Sequence, residues 1–407
     1  MEVKPGYKQT EVGAIPEDWE VKSLGDIGEA LIGLTYKPNE VRDYGTLVLR
    51  SSNIQNDALE FENNVFVDAE ISERIMVRPN DVLICVRNGS RDLIGKSALL
   101  DERTNGMTFG AFMAVYRSQI GRLASYLFQS DILKRQINEH LGATINQITN
   151  KSLNSFQIPL SPSVFEQCTI ANALSDMDAL LMGLDRLIAK KRAIKQSVMQ
   201  QLLTGQTRLP GFTGKWKVKR LRDLANIQRG ASPRPIDSPR WFDESSNVGW
   251  VRISDVTNSG MYLEQTTQRL SPDGVAHSRP VDSGNLIMSI CATVGRPIIT
   301  NIDVCIHDGF VVFENLKADR LFIYYALKWI EPGWSKYGQT GSQMNLNTGL
   351  INSTNINLPP IDEQTAIATV LADMHTEITV LEIRRTKTRD LKQAMMQELL
   401  TGRTRLV

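Results

Sequence analysis

The sequence contains one eleven-residue stretch twice: "MQQLLTGQTRL" at residues 199–209 and "MQELLTGRTRL" at residues 396–406. The two copies share nine of eleven residues and lie 197 residues apart (396 − 199 = 197). The same interval separates Trp19 from Trp216, which begin the matching stretches "WEVKSLGDIG" and "WKVKRLRDLA". A repeat of this length is the size of a domain, whereas solenoid repeats are roughly 20–50 residues long. The sequence therefore predicts a tandem duplication.

Composition is that of an ordinary globular protein. The chain has 407 residues, of which 42% are hydrophobic and 22% charged, and its net charge is +1. That length predicts two or three domains, each able to bury a core. No apolar run approaches the roughly 18 residues of a membrane span, and the first twenty residues do not resemble a secretory signal. We therefore expect a cytoplasmic protein.

The four cysteines and four histidines are scattered, without a CxxC pair or an HExxH helix. This spacing favours buried thiols over a disulfide scaffold and argues against a structural metal site. The near-zero net charge neither requires nor excludes nucleic acid, because local patches matter more than the total. Composition alone leaves the function open.

Each half begins with a segment of mixed character. In the first half, the β-rich runs "DVLICVRNGS" (residues 81–90) and "GAFMAVYRS" (110–118) alternate with Gly, Asn and Asp, which mark turns. One helical stretch follows at residues 122–141, and residues 319–330 match it in the second half. The mixed segments thus share a frame and differ in detail.

Each half ends in a long helix with apolar residues at alternating spacings of four and three, the pattern of a coiled-coil seam. The predicted seam comprises Ile170, Leu174, Met177, Leu181, Leu184 and Ile188 in the first half, and Leu371, Met374, Ile378, Leu381, Leu391, Met395 and Leu399 in the second. A helix of about 40 residues is about 60 Å long. The two seams are buried most simply against each other; the alternative is that each helix packs on its own domain.

These patterns predict a mixed α/β (α+β) tandem repeat, with two globular domains joined by two long antiparallel coiled-coil helices and related by a pseudo-two-fold axis. The predicted boundaries are residues 1–160 for the first domain, 161–209 for the central helix, 210–357 for the second domain and 358–407 for the last helix.

The chain resembles the specificity subunit of type I restriction-modification systems. The resemblance rests on "IPEDWEVKSLGDI" (residues 15–27), "LPPIDEQTAIATVLADMHTEI" (358–378), both "LLTG" helix ends and the duplication itself, and it covers nearly the whole chain. It implies that the two domains are target-recognition domains that read the two parts of a split DNA target. The helices then act as a spacer, which suits half-sites separated by whole turns of about 34 Å.

The resemblance also implies partners. Adenine methyltransferase (modification) subunits, two of them by expectation, would dock on the helical region, and restriction/translocase subunits would join the full complex. The chain itself would bind no cofactor, because S-adenosylmethionine, ATP and Mg are expected on those partner subunits. It would be a non-catalytic subunit that binds double-stranded DNA.

Polar and basic residues in three loops of each domain are candidates for DNA contacts, since Arg and Lys bind phosphates and Arg, Asn, Gln, Ser and Thr bind base edges. The candidates are Lys37, Arg42, Arg87, Arg91, Lys96, Thr144, Asn146 and Gln147 in the first domain, and Arg229, Arg234, Arg296, Ser342, Gln343 and Asn345 in the second. Asn, Ser and Thr also favour turns for structural reasons. Arg87, Gln147 and Arg296 are the preferred candidates.

Two other functions remain open. A single-chain methyltransferase would need a glycine-rich cofactor loop and an (Asn/Asp)-Pro-Pro-aromatic motif. In "NLPPI" (residues 357–361), however, Leu358 lies between the asparagine and the prolines, and no aromatic residue follows the prolines. A P-loop for nucleotide hydrolysis is missing from the sequence too. A protein-protein adaptor without a DNA role would suit the near-zero charge, and salt-dependent duplex binding would argue against it.

Overall fold

The computed structural model describes residues 4–141, 146–337 and 346–406. The chain forms two compact units: the first unit comprises Met1–Asp185 and Arg384–Val407, and the second unit comprises Arg186–Ile383. The first long helix, Val164–Thr204, begins in the first unit and ends in the second, and the second long helix, Ile361–Leu399, does the reverse. None of the helices in the described ranges has both the length and the hydropathy needed to cross a membrane.

The first unit is built on two four-stranded sheets. One has the order Ser97–Leu99, Val82–Cys85, Met113–Ser118, Gly28–Ile32, and the other Thr108–Phe109, Thr46–Leu49, Phe66–Val67, Val41–Arg42. Strand pairs Tyr7–Thr10 with Gly13–Pro16, Glu20–Ser23 with Gln157–Leu160, and Ile54–Gln55 with Ala58–Leu59 complete it. Its helices, besides the long ones, are Leu24–Ile27, Gly121–Gln129, Asp131–Leu141 and Asn150–Ser155.

The second unit repeats this plan. Its five-stranded sheet has the order Asn226–Arg229, Phe310–Glu314, Leu286–Ser289, Pro297–Thr300, Tyr262–Leu263, and its four-stranded sheet Gln268–Arg269, Gly249–Val251, Val304–Ile306, Arg279–Val281. Lys217–Arg220 pairs with Asn355–Leu358. The shorter helices are Leu221–Leu224, Ile253–Asn258, Pro272–Ala276, Arg320–Ile330 and Thr348–Ser353.

The repeated "SLGD/RLRD" stretch forms the same turn in both units. In the first unit Ser23 and Asp26 form a reciprocal capping box at the start of a one-turn helix, and the backbone nitrogen of Arg220 donates to Asp223 in the second. The leucines that follow the caps, Leu24 and Leu221, are fully buried. Capping satisfies the free backbone N–H groups while the leucine anchors the turn in the core.

A buried carboxylate joins the two ends of each repeat. In the first unit the fully buried Glu166 accepts hydrogen bonds from Arg405 Nε (2.6 Å) and from Trp19 Nε1 (3.3 Å). In the second unit Glu363, also fully buried, accepts from Arg208 and Trp216. The residues of the second set each lie 197 positions from their counterparts in the first. We call each set the Arg–Glu–Trp clamp.

The two long helices run antiparallel within each unit. In the first unit Asp178 and Asp185 pair with Lys392 and Arg385, so that the partner number falls as the helix number rises. In the second unit Lys191 pairs with Glu377, and Arg208, beyond the helix end, pairs with Glu363. This arrangement confirms the predicted mixed α/β repeat with antiparallel long helices.

Burial along the seam follows the predicted spacing over most of its length. Ile170, Leu174, Leu184, Ile188, Leu371, Ile378 and Leu399 are buried, and Met177, Leu181, Met374, Leu381 and Met395 are half-buried. The assignment of Leu391 was wrong, because its side chain is 54% exposed. The alternation of three and four continues from Leu381 through Arg385, Thr388 and Lys392 instead, and polar residues at these positions concealed the register.

The structure also differs from the sequence prediction at residues 122–141, where two helices replace the single predicted one. Ser130 adopts an extended conformation (ψ 162°) and its hydroxyl donates to Leu127 O at 2.7 Å. Asp131 then starts a new helix. Ser followed by Asp is a combination that favours helix ends over interiors.

The two units differ at one position of the helix seam. In the first unit Lys392 Nζ lies 2.6 Å from Asp178, which also accepts a hydrogen bond from the Tyr126 hydroxyl at 2.8 Å. The residue 197 positions after Asp178 is His375, and in the second unit its Nδ1 lies 3.2 Å from Lys195 Nζ. The second unit therefore has a histidine where the first has a carboxylate.

In the second unit, Lys195 therefore has a histidine beside it where Lys392 has a carboxylate in the first unit. We call Lys195, His375 and Tyr325 the lysine–histidine cluster. The buried Tyr325 hydroxyl has no hydrogen-bond partner among the described residues. Burial and the nearby Lys328 lower the pKa of Lys195 to about 8. Burial and Lys195 likewise lower the pKa of His375, although Glu382 acts in the opposite direction.

The stability of the second unit is therefore expected to depend on pH. Both groups are bases with lowered pKa values in the folded state, so the unfolded chain binds more protons and stability falls as pH falls. The Lys195 contribution is lost between its ordinary value near 10.5 and about 8, and the His375 contribution below about 6.5. We expect His375→Asp, which restores the first unit's pairing, to stabilise the fold by about 2 kcal/mol at pH 7.

Thermal unfolding between pH 8 and pH 5.5 measures this effect. His375→Asp should raise the melting temperature and flatten its decline towards pH 5.5. The matched change in the first unit, Asp178→His, should destabilise by about 1–2 kcal/mol, because it removes the carboxylate that Lys392 and the Tyr126 hydroxyl share while solvent screens part of the loss. A melting temperature unchanged by His375→Asp at both pH values would contradict this account of the cluster.

Candidate nucleic-acid interface

A glycine in each unit brings two loops together. In the first unit a Cβ added to Gly33 would lie 2.3 Å from Gly110 O, closer than real contacts allow. Glycine thus lets the chain pass against this backbone, and Leu34 exchanges hydrogen bonds with the same loop: its nitrogen donates to Phe109 O at 2.7 Å and its carbonyl accepts from Ala111 N at 2.9 Å. The loop that follows Gly33 is held against residues 109–111.

The second unit repeats the contact. A Cβ on Gly230 would lie 2.1 Å from His307 O. Gly230 N donates to Phe310 O at 2.9 Å, and Ala231 N donates to Ile306 O at 3.0 Å. Gly33 and Gly230 lie 197 positions apart (230 − 33 = 197), so the same glycine of the repeat serves the same packing in both units.

Two further segments of the first unit, at residues 86–91 and 146–148, join these loops. Arg87 N donates to Phe112 O at 3.1 Å, and Ile148 N donates to Val86 O at 2.8 Å. Arg87 and Gln147 consequently form an isolated antiparallel bridge. We call the surface formed by residues 34–42, 86–91, 110–112 and 146–148 the loop face of the first unit.

The corresponding loop face of the second unit comprises residues 229–235, 290–296, 307–309 and 346. Ile290 N donates to Gly309 O at 2.8 Å, and Leu346 N donates to Ile290 O at 2.9 Å. Leu346 thereby takes the place of Ile148. Four segments that are far apart in sequence therefore meet in each unit.

The first loop face presents a cation beside an aromatic ring. The Arg87 guanidinium carbon lies 5.1 Å from the centroid of the Phe112 ring, and Phe112 is 59% exposed. Asn146 and Gln147 are exposed on the neighbouring segment. An exposed ring with a stacked guanidinium is suited to contacting a planar or anionic partner. Sequence analysis could not identify Phe112, because an aromatic residue in a β-rich run is expected in the core.

The second loop face has two arginines beside one aspartate, Asp308. Arg229 Nε donates to Asp308 O at 2.6 Å, the Ser232 hydroxyl donates to Asp308 Oδ1 at 2.8 Å, and Arg234 lies 4.0 Å from Asp308 Oδ2. Burial acts to raise the pKa of Asp308, but the Ser232 hydrogen bond, its own backbone and the neighbouring His307 hold it below the ordinary value. Asp308 thus presents a carboxylate to Arg234 and a backbone carbonyl to Arg229. Sequence reasoning missed it.

The adjacent histidine is neutral near physiological pH. Burial lowers the pKa of His307, although Asp308 acts in the opposite direction. Its Nδ1 accepts a hydrogen bond from Gly309 N at 2.9 Å, and its ring lies 4.8 Å from the Phe310 ring. His307 therefore shapes the loop from within.

The remaining candidates lie in several environments. Lys37 and Arg42 are exposed further along the first loop, where the Arg42 guanidinium donates to Asn39 O (2.6 Å). Arg91 is exposed and donates to Asn138 O at 3.1 Å, and Lys96 is half-buried.

Arg296 lies in the second unit where Lys96 lies in the first, since each residue's carbonyl accepts from the strand that precedes its loop. It is half-buried and donates to Ser259 O at 3.3 Å. Thr144, Ser342, Gln343 and Asn345 lie outside the described residues. In the described part of the chain, no group of His, Cys, Asp and Glu side chains could hold a metal ion.

Comparisons with known proteins agree on one family. A family model for the type I restriction modification DNA specificity domain matches the chain twice, over residues 16–195 and 213–388. The type I restriction enzyme MjaVIII specificity subunit of Methanocaldococcus jannaschii is 25% identical, covering 98% of this chain and 96% of that protein. The EcoKI specificity subunit of Escherichia coli (strain K12) is 24% identical over 87% of this chain and 82% of its own length.

A solved structure shows the same fold. The crystal structure of the type I restriction-modification S subunit from M. genitalium aligns with a TM-score of 0.61 over 98% of each chain, at 14% sequence identity. At that identity the likeness concerns the fold alone.

The role of the shared glycine can be tested directly. Gly33→Ala should destabilise the first unit by about 1–3 kcal/mol, because the new Cβ must displace the backbone at Gly110. Gly89→Ala is the matched control, since its Cβ would meet nothing within 4 Å. Thermal unfolding of both variants measures the difference, and equal melting temperatures would show that the close approach does not constrain the loop.

Proposed function

The chain belongs to the family of type I restriction-modification DNA specificity domains, and from that premise we propose that each loop face reads one part of a split DNA target. The chain is a specificity subunit: it recognises a DNA sequence, and the catalytic steps belong to other subunits. The observation that carries the proposal is that the same four segments meet in both units through the same backbone contacts and present different side chains.

The two loop faces have different side chains at equivalent positions, as expected of two domains that recognise different DNA sequences. The position that follows the Val86/Ile290 hydrogen bond is Arg87 in the first unit and Cys291 in the second. The first unit presents Arg87 beside Phe112, whereas the second presents Arg229 and Arg234 around Asp308. Different polar groups at equivalent places suit different base sequences, because base edges are distinguished by their donor and acceptor patterns.

The candidate residues divide by the contact that each can make. Arg87, Asn146 and Gln147 are exposed on adjoining backbone and suit base edges in the first half-site. The other candidate cations suit phosphates: Lys37, Arg42, Arg91, Lys96, Arg229, Arg234 and Arg296. Phosphate contacts fix position, while base contacts specify sequence. Thr144, Ser342, Gln343 and Asn345 remain candidates by their place in the sequence.

The domain and partner assignments are part of the same proposal. Residues 1–160 and 210–357 are the two target-recognition domains, and 161–209 and 358–407 are the spacer helices. Specificity subunits act with modification and restriction subunits, and two modification subunits match the two copies of the domain. S-adenosylmethionine, ATP and Mg belong to those partners. Because its target is cellular DNA, we place the chain in the cytoplasm.

A map of adenine methylation tests the proposal. In cells that contain the partner modification subunit, a split motif with a fixed gap should appear only when this chain is present. Replacing residues 1–160 with those of another specificity subunit should change one half of the motif. The proposal fails if assembly with the partner is confirmed and yet no motif depends on the chain, an outcome that would favour an adaptor.

Single substitutions locate the reading residues. Arg87→Ala should relax or weaken recognition in only one half of the motif, by about 1–3 kcal/mol for a lost bidentate contact. Arg103→Ala is the control, because Arg103 is exposed and pairs with Asp101 within its own turn at 2.7 Å. If both variants methylate the same motif at the wild-type rate, Arg87 does not contact a base.

A further inference from the structure

A cavity of about 590 Å³ opens in the first unit against the second long helix. Its walls come from three distant segments. These are the turn at Val12 and Gly13, the junction between helices Gly121–Gln129 and Asp131–Leu141, and the last turns of the second long helix. No short sequence motif contains it, and none of its residues is a candidate named above.

Among the charged residues that line the cavity, cations outnumber carboxylates by five to two. Lys134, Arg135 and Arg389 are exposed, and no carboxylate of the described residues forms an ion pair with any of them within 4 Å. Lys392 also lines the cavity, but Asp178 neutralises it at 2.6 Å. The acidic lining residues are Asp57 and Asp131. Unpaired cations facing one space raise the local concentration of anions.

A second cavity extends this surface to the loop face. Its volume is about 350 Å³, and it shares Asp57, Gln129 and Lys134 with the first. At its other end it is lined by Arg91 and Lys96. We call the joined surface, with Arg91, Lys96, Lys134, Arg135 and Arg389, the basic groove.

The basic groove depends on features that the second unit has in a different form. The helix Asp131–Leu141 forms one wall, whereas the described residues after helix Arg320–Ile330 form a 3-10 stretch, Glu331–Tyr337. The counterpart of Arg389, 197 positions earlier, is Arg192, and Glu382 pairs with it at 2.5 Å. The second copy therefore has, at the position of Arg389, an arginine that a carboxylate already neutralises.

We propose that the basic groove holds the phosphates of a DNA strand beside the half-site that the first unit reads. This inference rests on the proposed function and adds to it a phosphate anchor built from side chains of the first unit. Lys and Arg contact phosphates without regard to base sequence. The continuity with Arg91 and Lys96 favours DNA as the occupant over an acidic protein segment, because a strand leaving the loop face meets these cations next.

The test measures the salt dependence of duplex binding by the chain assembled with its modification subunit. The variant carries Lys134→Gln and Arg389→Gln, and fluorescence anisotropy is recorded at several salt concentrations. Each phosphate contact contributes about 0.9 to the slope of log K against log salt. We therefore expect the slope to become shallower by about 2, equally for a duplex with the methylated motif and for one without it, while the motif itself is unchanged.

A control variant removes the same charge elsewhere. Lys217→Gln with Lys219→Gln alters two exposed lysines of strand Lys217–Arg220, and its slope should equal that of the wild type. A wild-type slope in the Lys134/Arg389 variant overturns the inference. If that variant instead loses assembly with the modification subunit, an acidic protein segment occupies the groove and the inference is again wrong. If the wild-type complex itself shows no salt-dependent binding, the proposed function fails first.

Discussion

The fold depends on a buried carboxylate in each unit that only a distant arginine can neutralise. Glu166 and Glu363 are fully buried, and each is held by an arginine from the "LLTGxTRL" motif and by a tryptophan at the start of a domain. Removing one partner of such a buried pair typically costs about 3–5 kcal/mol, because it leaves a charge without compensation. The Arg–Glu–Trp clamp thus explains why the motif occurs twice: each copy completes a clamp on the other repeat's helix start.

The two clamps are closed by different routes through the chain. Arg208 and Trp216 are eight residues apart (216 − 208 = 8), so the backbone itself joins them. Arg405 and Trp19 lie near opposite ends of the sequence, and noncovalent contacts join them instead. The Tyr7 hydroxyl donates to the carbonyls of Gly402 and Arg403, each at 3.2 Å. The residues before Trp19 therefore connect the arginine and the tryptophan of the first clamp, as residues 209–215 connect those of the second clamp.

The sequence predicted the architecture because periodicity and repetition depend on few residues. The heptad spacing placed both long helices, and the 197-residue interval identified the equivalent positions. The apolar periodicity assigned Leu391 to the seam wrongly, because the seam positions in this part of the helix are occupied by Arg385, Thr388 and Lys392. It also joined two helices across Ser130, where a single capping residue decides the outcome.

The candidate site was harder to predict than the fold, because it is assembled from separate segments. The loops that contain Arg87 and Gln147 were both identified, but their bridge is visible only in three dimensions. Phe112 and Asp308 gave no signal, since an aromatic residue and a turn aspartate each have an ordinary structural explanation. The first cavity of the basic groove is lined by residues from positions 12 to 403, and no local sequence pattern connects them.

The manner in which the loop faces are built explains how one frame can serve two recognition sequences. The contacts that bring the loops together are hydrogen bonds between backbone atoms, such as Ile148 N to Val86 O and Leu346 N to Ile290 O, together with the close approach of a glycine. Such contacts are indifferent to the neighbouring side chains. Substitution of Arg87 or Cys291 therefore leaves the frame intact, so that sequence preference can change without a large cost in stability. The buried clamp has no such freedom, because its energy resides in particular side chains, and this is why the "LLTGxTRL" ends stayed alike while the loops between them diverged.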